Sequence, residues 1–361
     1  MGRRSTPLDF RGRIEEKARA LGFDAVGVAR ADVPLEQEHA RYVDFIDRGM
    51  HGTMTYLATD PEARRRLDGD AILAGARSVI SVARRYARAD ADSDPQTAKL
   101  VARYARGQDY HNYLRKKLRL LAKFVRTLAP DVRARPLLDE EPILERAWAA
   151  RAGLGFVGKH GLVIVPGQGS FVLLGEVVTT LELPVDTPMT ERCGTCTRCL
   201  DACPTGAFER PFVLDPRRCI AYLTIEDRSL APTLELDTGE HLFGCDDCQT
   251  ACPFNRTAAP PAETTRIFEP RPELAAATVE ALTTLDDAAF ARLTVGSPLH
   301  RATRSGLARS AVRVLSHRAR DPNERGERAA DALEAACDHD DASVRALAVE
   351  GLKRAKKLRD P

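Results

Sequence analysis

Eight cysteines set the first constraint. Cys193, Cys196, Cys199 and Cys203 follow one another at spacings of two, two and three intervening residues, with Pro204 next. Cys219 stands alone, and Cys245, Cys248 and Cys252 come at spacings of two and three, with Pro253 next. All eight fall within residues 193–252 of a 361-residue chain. A disulfide scaffold spreads its cysteines through a short secreted chain; concentration in one segment of a long one points to metal. The run C-x2-C-x2-C-x3-C-P is that of bacterial ferredoxins, where the fourth cysteine of a run ligates the neighbouring cluster. By that logic one cube takes Cys193, Cys196, Cys199 and Cys252, and the other takes Cys203, Cys219, Cys245 and Cys248. Two structural zinc sites are the alternative, but zinc modules use two-and-two spacings rather than these runs. Two [4Fe–4S] clusters with crossed ligands pass single electrons, so the segment reads as an electron path. Cys337 matches no ligand spacing and lies in a helical stripe, where a free cysteine behaves as a small apolar side chain.

Three other patterns carry chemistry. Asp139 ends a strand-like stretch and is followed by Glu140, Glu141 and Pro142. Three adjacent carboxylates repel, so burial would raise at least one pKa toward neutrality, which suits a general acid. The bland alternative is an acidic cluster complementing a helix N-terminus. Gly153, Gly155 and Gly158 with Lys159 and His160 satisfy G-x-G-x-x-G only loosely. The pattern follows a helix and opens a strand, the reverse of a dinucleotide site, and no Ser or Thr follows Gly158-Lys159 as a phosphate loop requires. The glycines still mark a close approach of backbone to something, a tight turn or a bound group. Finally, residues 288–320 hold seven arginines, His300 and His317, and no acid. On a helix from about Thr303, Arg309, Arg313 and Arg320 share a face away from Leu307, Val314 and Leu315, the geometry of a basic face for RNA phosphates.

The elements that must position these groups read as follows. Phe10, Ile14, Ala18 and Leu21 make a helical stripe before a short strand at 25–29; a second strand spans 78–83. Leu114, Leu118, Leu121, Val125 and Leu128 predict an amphipathic helix over 110–128. A helix opening at Pro142 runs to about residue 152, and strands at 161–166 and 170–183 flank a turn at Pro166-Gly167-Gln168-Gly169. Strands and helices alternate without a strict βαβ rhythm, so the fold class is α+β. A Pro/Thr-rich connector covers 258–272, and everything from about Glu273 is helical. Two short stripes around Asp338-His339-Asp340-Asp341 resemble HEAT-type repeats. Basic and acidic side chains number 54 and 52, so the molecule as a whole is not a polycation. No apolar run approaches the roughly 20 residues of a spanning helix, and Arg3 and Arg4 lack the apolar segment of an export signal.

Several blocks taken together resemble the epoxyqueuosine reductases. They are Cys193-Gly194-Thr195-Cys196-Thr197-Arg198-Cys199, Ala202-Cys203-Pro204-Thr205-Gly206-Ala207, Cys219 through Glu226, and Phe243-Gly244-Cys245-Asp246-Asp247-Cys248-Gln249. Arg103-Tyr104-Ala105-Arg106-Gly107, Asp109-Tyr110-His111, Leu144-Glu145-Arg146 and Ala152-Gly153-Leu154-Gly155 belong with them. The resemblance covers about residues 10–320. It implies an iron–sulfur enzyme dependent on cobalamin that reduces epoxyqueuosine to queuosine at the tRNA wobble position. The familiar corrinoid motif Asp-x-His-x-x-Gly is absent after Asp109, in line with a family thought to hold cobalamin without a histidine on cobalt.

The resemblance further implies residue roles. Asp139 matches the proton donor, although Glu140 and Glu141 follow where the family has a small or hydroxyl residue directly after the aspartate, so either glutamate could take that role or raise the pKa of Asp139. Arg66, Tyr104, His111, Lys159, His160, Ser170, Thr224, Asp246 and Asp247 fall around the corrin; His111 and His160 each also read as hydrogen-bonded structural histidines. Arg301, Arg304, Arg309 and Arg313 would meet tRNA. The implied organisation is an α/β cobalamin-binding catalytic domain (1–188), a ferredoxin-like two-cluster domain (189–257) and a helical HEAT-like region (258–361). The chain would act in the cytoplasm as a monomer, fed by an external low-potential electron donor. Two rivals are a corrinoid reductive dehalogenase and a non-enzymatic electron carrier; tRNA binding separates the first, and cobalamin in the purified protein the second.

Overall fold

Strand β2 (Ser78–Arg85) is buried along its whole length, and the rest of the N-terminal half is arranged around it. In the computed structural model, which describes residues 7–229, 231–258 and 266–359, it pairs antiparallel with β1 (Ala25–Arg30) and with β6 (Val172–Thr179). Strand β3 (Ala134–Leu137) pairs with the far side of β6, giving the order β1-β2-β6-β3. Every pairing is antiparallel, which agrees with α+β rather than a doubly wound sheet. Alternate residues of β2 face two different cores. Ile80 and Val82 pack with Phe10, Ile14, Leu114, Leu118 and Leu121; Val79 and Ala83 pack with Trp148, Ala149 and Leu154.

The helix Tyr110–Arg126 covers the first face because its apolar residues recur at the predicted period, and Asp109 caps it by accepting the His111 N–H. It lies close enough to β6 that a Cβ on Gly175 would come within 2.8 Å of Leu118 Cδ1. The helix Glu145–Arg151 covers the second face. It begins at Glu145 rather than at Pro142, since 138–144 closes turns of its own (Glu141 N–H to Leu138 O, 2.9 Å). The three carboxylates 139–141 are therefore not a helix N-terminus. The stretches 161–166 and 170–183 also differ from a simple hairpin: β5 (Val163–Ile164) pairs with β4 (Phe156–Val157), and only the bridge Val165–Gly169 closes the turn. Across β4 and β5, a Cβ on Gly155 would meet Ile164 O at 2.1 Å. The glycine-rich segment is thus a tight self-packing turn.

The cluster segment is short helices and one small hairpin, β7 (Phe208–Arg210) with β8 (Val213–Leu214). The C-terminal helices Arg304–Arg318, Glu324–Ala336 and Ala342–Arg359 share one apolar core with Val101 and Ala105 from the first part of the chain and Ile225, Leu242 and Phe243 from the cluster segment. Arg3, Arg4 and residues 259–265 of the connector lie outside the described residues. No described helix is long and apolar enough to cross a membrane.

The arginine-rich helix overturns one expectation. Arg309 and Arg313 do not present a basic face to solvent. Arg313 is 4% exposed, donates to Thr233 O (2.7 Å) and lies 3.9 Å from Asp227. Arg309 donates to Asp227 O and Ser343 Oγ, both at 2.9 Å. Arg318 binds Glu240 (2.7 Å), while His317 and Arg320 bind Asp237 (3.1 and 2.6 Å). The acid-free run has its counter-charges in 226–240, the link between Cys219 and Cys245, so its positive face is an internal dock for that link. Arg304 is likewise occupied by Asp340 and Asp287. Arg313→Ala strands buried acceptors and is expected to cost about 1.5–3 kcal/mol in urea unfolding, as for a hydrogen bond to a charged group. A change within about 0.5 kcal/mol, the behaviour of a free surface arginine, would contradict this dock.

Candidate active site

Asp139 leaves the end of β3 beside the first turn of the helix Tyr110–Arg126. Its Oδ2 accepts the Tyr110 hydroxyl, and its Oδ1 lies 3.2 Å from His111 Nε2. The other ring nitrogen of His111 lies 2.6 Å from Asp109 Oδ1. Burial alone would lower the imidazole, but hydrogen bonds to Asp109 and Asp139 outweigh it and hold His111 up to about 10. Burial alone would raise Asp139; the hydrogen bond and charge of His111 and the Tyr110 O–H outweigh that and leave the carboxyl below its usual range. Asp139 therefore does not show the rise by mutual repulsion that the run of three carboxylates suggests. Glu140 is paired with Arg115 and Glu141 with Arg135 (2.9 Å), so each glutamate has its own cation. The neighbour whose pKa does rise is Glu145, pushed to about 8 by burial first and by the charge of Asp139 second.

Tyr104 joins this acid to the cluster loops. Its ring packs edge-on to Tyr110 (5.9 Å between centroids), and its hydroxyl is held high by burial and by the charges of Asp246, Glu226 and Asp139. Asp246 accepts the Arg103 N–H at 2.8 Å, so the residue next to Cys245 fixes the turn that presents Tyr104. Arg301 pairs with Glu226, lies 5.3 Å over the Tyr56 ring, and its charge reaches both Tyr104 and Asp139. Asp139 keeps 32% of its side chain accessible, so its carboxyl lies in a recess that opens to solvent.

The cysteines assemble in two groups. The Cys199 thiol, raised first by burial, feels Cys252 and Cys196, and Cys193 in turn feels Cys199. Cys219, raised first by burial, feels Cys245 and Cys203, and Cys248 feels Cys245 and Cys219. Cys248 also feels Cys199, which brings the two groups side by side. Pro253 sits at the first position of the helix Pro253–Arg256, where its missing N–H costs nothing, and Cys252 is thereby its N-cap. Backbone N–H groups point at sulfur, Ala207 to Cys203 (3.3 Å) and Asp247 to Cys245 (3.5 Å), the kind of hydrogen bond that tunes a cluster potential. Cys337 donates to Leu333 O (3.4 Å) far along the chain, in the C-terminal core.

The remaining residues of the sequence reading divide. Lys159 spans Gly194 O (2.6 Å) and Cys196 O (2.9 Å) and so braces the loop of the first thiol group. Ser170 donates to Gln249 Oε1 (3.0 Å) and takes a hydrogen bond from Asn255 (2.9 Å). Thr224 is buried, donates to Ile220 O (2.7 Å) and accepts Gly244 N–H (2.9 Å). Asp247 lies 3.2 Å from His241. Arg66 is tied to Asp68 at 2.8 Å and to none of the groups around Asp139. His160 is buried, and its Nδ1 accepts the Leu162 N–H (3.1 Å), so its neutral ring carries the proton on Nε2. Sequence reasoning gave Tyr110 and Glu145 no role. The first has a signal, an aromatic hydroxyl one residue from a capping Asp-x-His; the second had none beyond its place in the Leu144-Glu145-Arg146 block.

Cys203→Ala is expected to lose the iron of one cube and keep that of the other, whereas Cys337→Ala keeps both, as read by iron and sulfide analysis after anaerobic purification. Iron loss in Cys337→Ala, or full iron in Cys203→Ala, would contradict the ligand grouping.

Comparison with known proteins meets this geometry at both ends. A family model described as "Epoxyqueuosine reductase QueG, DUF1730" matches residues 66–140, and one described as "4Fe-4S double cluster binding domain" matches residues 192–255. The epoxyqueuosine reductase of Gloeobacter violaceus is 43% identical over 309 residues, spanning 84% of this chain and 95% of that protein. That of Escherichia coli is 38% identical over 305 residues, spanning 82% and 79%. Among solved structures, epoxyqueuosine reductase with an epoxyqueuosine-modified tRNA-Tyr stem loop superposes with a TM-score of 0.78 at 27% identity, over 97% of this chain and all of that one. The Bacillus subtilis enzyme, captured with its catalytic aspartate loop swung out of the active site, gives 0.77 at 27% over the same shares. With curated relatives 38–43% identical over more than four fifths of its length, the chain belongs to the epoxyqueuosine reductase family.

Proposed function

We propose that this chain reduces epoxyqueuosine to queuosine in tRNA, with Asp139 as the residue that delivers protons to the leaving epoxide oxygen. The observation that carries the assignment is the Asp109–His111–Asp139–Tyr110 constellation in a recess whose opposite wall, Tyr104 and Asp246, adjoins the thiol group around Cys245. Members of the family use cobalamin and two [4Fe–4S] clusters. The eight thiols suit the clusters. Both nitrogens of His111 face carboxylates, and His160, its Nδ1 taken by the Leu162 N–H, carries its proton on a buried Nε2, so neither ring offers a free lone pair to a metal. Tyr104, His111, Asp246 and the buried, unpartnered His160 Nε2 are the groups that would hold it. When bound, cobalamin supplies a low-valent metal able to transfer electrons to an organic substrate.

The chain's own residues do the rest. His111 stores a proton at neutral pH, the Tyr110 hydroxyl fixes one oxygen of Asp139, and Asp139 passes the proton to oxygen as a carbon–oxygen bond breaks. Glu140 and Glu141, each held by an arginine, are turned to other partners. Of the four arginines assigned to tRNA, Arg301 is the one at the recess, half exposed and stacked on Tyr56. It is the candidate for a phosphate or base of the anticodon loop. An external low-potential donor, a monomeric state and a cytoplasmic site complete the reading. The N-terminal (1–188), cluster (189–257) and HEAT-like helical (258–361) units divide the labour: acid and recess, electron path, and brace for the loop between Cys219 and Cys245.

Asp139→Asn is expected to keep iron content and tRNA affinity and to slow turnover by about 10²–10⁴, the usual effect of losing a general acid. Unchanged turnover would move the role to another group. His111 has a folded pKa raised to about 10, above its ordinary 6.5, so its charge and the stability it adds are complete below about 6.5 and fade as pH rises through about 10. The stability gap between wild type and His111→Gln is therefore expected to be widest below about pH 6.5 and to close by about pH 10; a gap independent of pH would mean the ring is neutral.

A further inference from the structure

Turning an epoxide into an alkene breaks two carbon–oxygen bonds, forms one carbon–carbon double bond and releases water. It takes up two electrons and two protons. The external donor supplies the electrons. Asp139 and His111 together hold one proton to give, so a second must come from elsewhere.

Three carboxyl groups converge behind the recess. Glu145 opens the helix Glu145–Arg151, and its Oε1 is buried with no partner. Glu176 is fully buried in β6, and neither of its oxygens has a partner. The sheet register sets Glu176 between Ser81 of β2 and Leu137 of β3, two residues before Asp139. Ser81 Oγ and Trp148 Nε1, also buried, are unpartnered as well. Unlike Glu140 and Glu141, neither Glu145 nor Glu176 has an arginine partner. His111 is held between Asp109 and Asp139, and Arg146 donates to Gly161 O rather than to Glu145; burying further charge without a partner is strongly unfavourable, so Glu145 and Glu176 keep their protons.

We propose, resting on the reading of Asp139 above, that Glu145 is a proton-supplying residue that reloads Asp139 for the second proton of each turnover. The first proton leaves His111 through Asp139 to the epoxide oxygen. The second leaves the Glu145 carboxyl, again through Asp139, to the same oxygen, which departs as water. Glu145 is left ionised and His111 neutral, and both regain protons from solvent between turnovers. Charged and titratable groups facing Glu145 are Asp139, His111 and Tyr110, Arg146 on its own helix, and Glu176 from β6. Glu145 is protonated below about 8, so the supply fails as pH rises through that value. Glu176, raised by burial first and then by the charges of Glu145 and Asp139, lies deeper, between Ser81 and Leu137 in the sheet, and takes no part.

The test uses the full chain with clusters and cobalamin, and epoxyqueuosine-containing tRNA. Wild-type kcat is expected to fall on the alkaline side near pH 8. Glu145→Gln should lower kcat about 10-fold or more, less than loss of the direct donor, leave KM for tRNA unchanged and abolish that alkaline limb. Glu145→Asp should restore part of kcat together with the limb. Glu176→Gln, neutral like the residue it replaces, should keep the wild-type profile. Infrared spectra of the unloaded protein should show a protonated carboxylic acid that titrates near pH 8 and is absent in Glu145→Gln. A Glu145→Gln enzyme with wild-type kcat and an unchanged alkaline limb overturns the proposal. So does an infrared titration untouched by that substitution, which also decides the matter should the variant lose iron. Wild-type enzyme that leaves epoxyqueuosine intact would instead overturn the functional reading itself.

Discussion

The docking of the acidic link 226–240 onto the arginines of the helix Arg304–Arg318 is the contact on which the site depends. That link joins Cys219 to Cys245, two cysteines of one thiol group, and it is anchored at one apolar point, Leu234, in the core of the C-terminal helices. Arg309, Arg313 and Arg318, with His317 and Arg320, fix it through Asp227, Thr233, Asp237 and Glu240. Just beyond it, Leu242 N–H reaches Leu100 O and Ala102 N–H reaches Phe243 O, both at 2.8 Å. Gly244, at φ +71°, lets the chain turn where a Cβ would meet Ala102 at 2.7 Å. Asp246 then holds the Arg103 N–H, and Tyr104 packs on Tyr110, whose hydroxyl rests on Asp139. A chain of direct contacts thus runs from the C-terminal helices through the cluster loop to Asp139.

The electrostatics of the recess follow from counting cations. Six carboxyls, Asp109, Asp139, Glu140, Glu141, Glu145 and Glu176, lie in or near it. Arg115 and Arg135 pair with Glu140 and Glu141, and His111 is shared by Asp109 and Asp139. Glu145 and Glu176 have no such partner, and burial pushes both carboxyls up. This arrangement places Asp139 and His111 at the surface of the recess, with two buried carboxyls behind. Adjacent carboxylates in sequence did not become adjacent carboxylates in space, because successive residues after a strand end diverge to different partners.

That divergence explains what the sequence made legible. The grouping of the thiols was legible because spacing along a tight loop is a local property; the structure sets Cys252 beside Cys199, and Cys203 beside Cys219. The helix Tyr110–Arg126 and the strands β1 and β2 were readable from periodicity alone. Arg309 and Arg313 were misread because their counter-charges lie some 80 residues upstream, and a helix whose polar face is buried by another segment has the same pattern as one that faces water. Arg301 belonged to the same run, yet it ends at Glu226 beside the recess, a difference set by one 3₁₀ turn, Pro298–Ala302, that no periodicity reveals. Glu176 was invisible for the opposite reason: a lone acid in an apolar strand carries no spacing at all.

The most direct test of the central claim is chemical. The purified chain, loaded anaerobically with iron, sulfide and cobalamin and given a low-potential reductant, is incubated with tRNA bearing epoxyqueuosine; the tRNA is then digested and its nucleosides weighed. Conversion of epoxyqueuosine to queuosine, with loss of one oxygen atom, is the expected result. Loaded wild-type protein that binds the tRNA but returns epoxyqueuosine unchanged would contradict it.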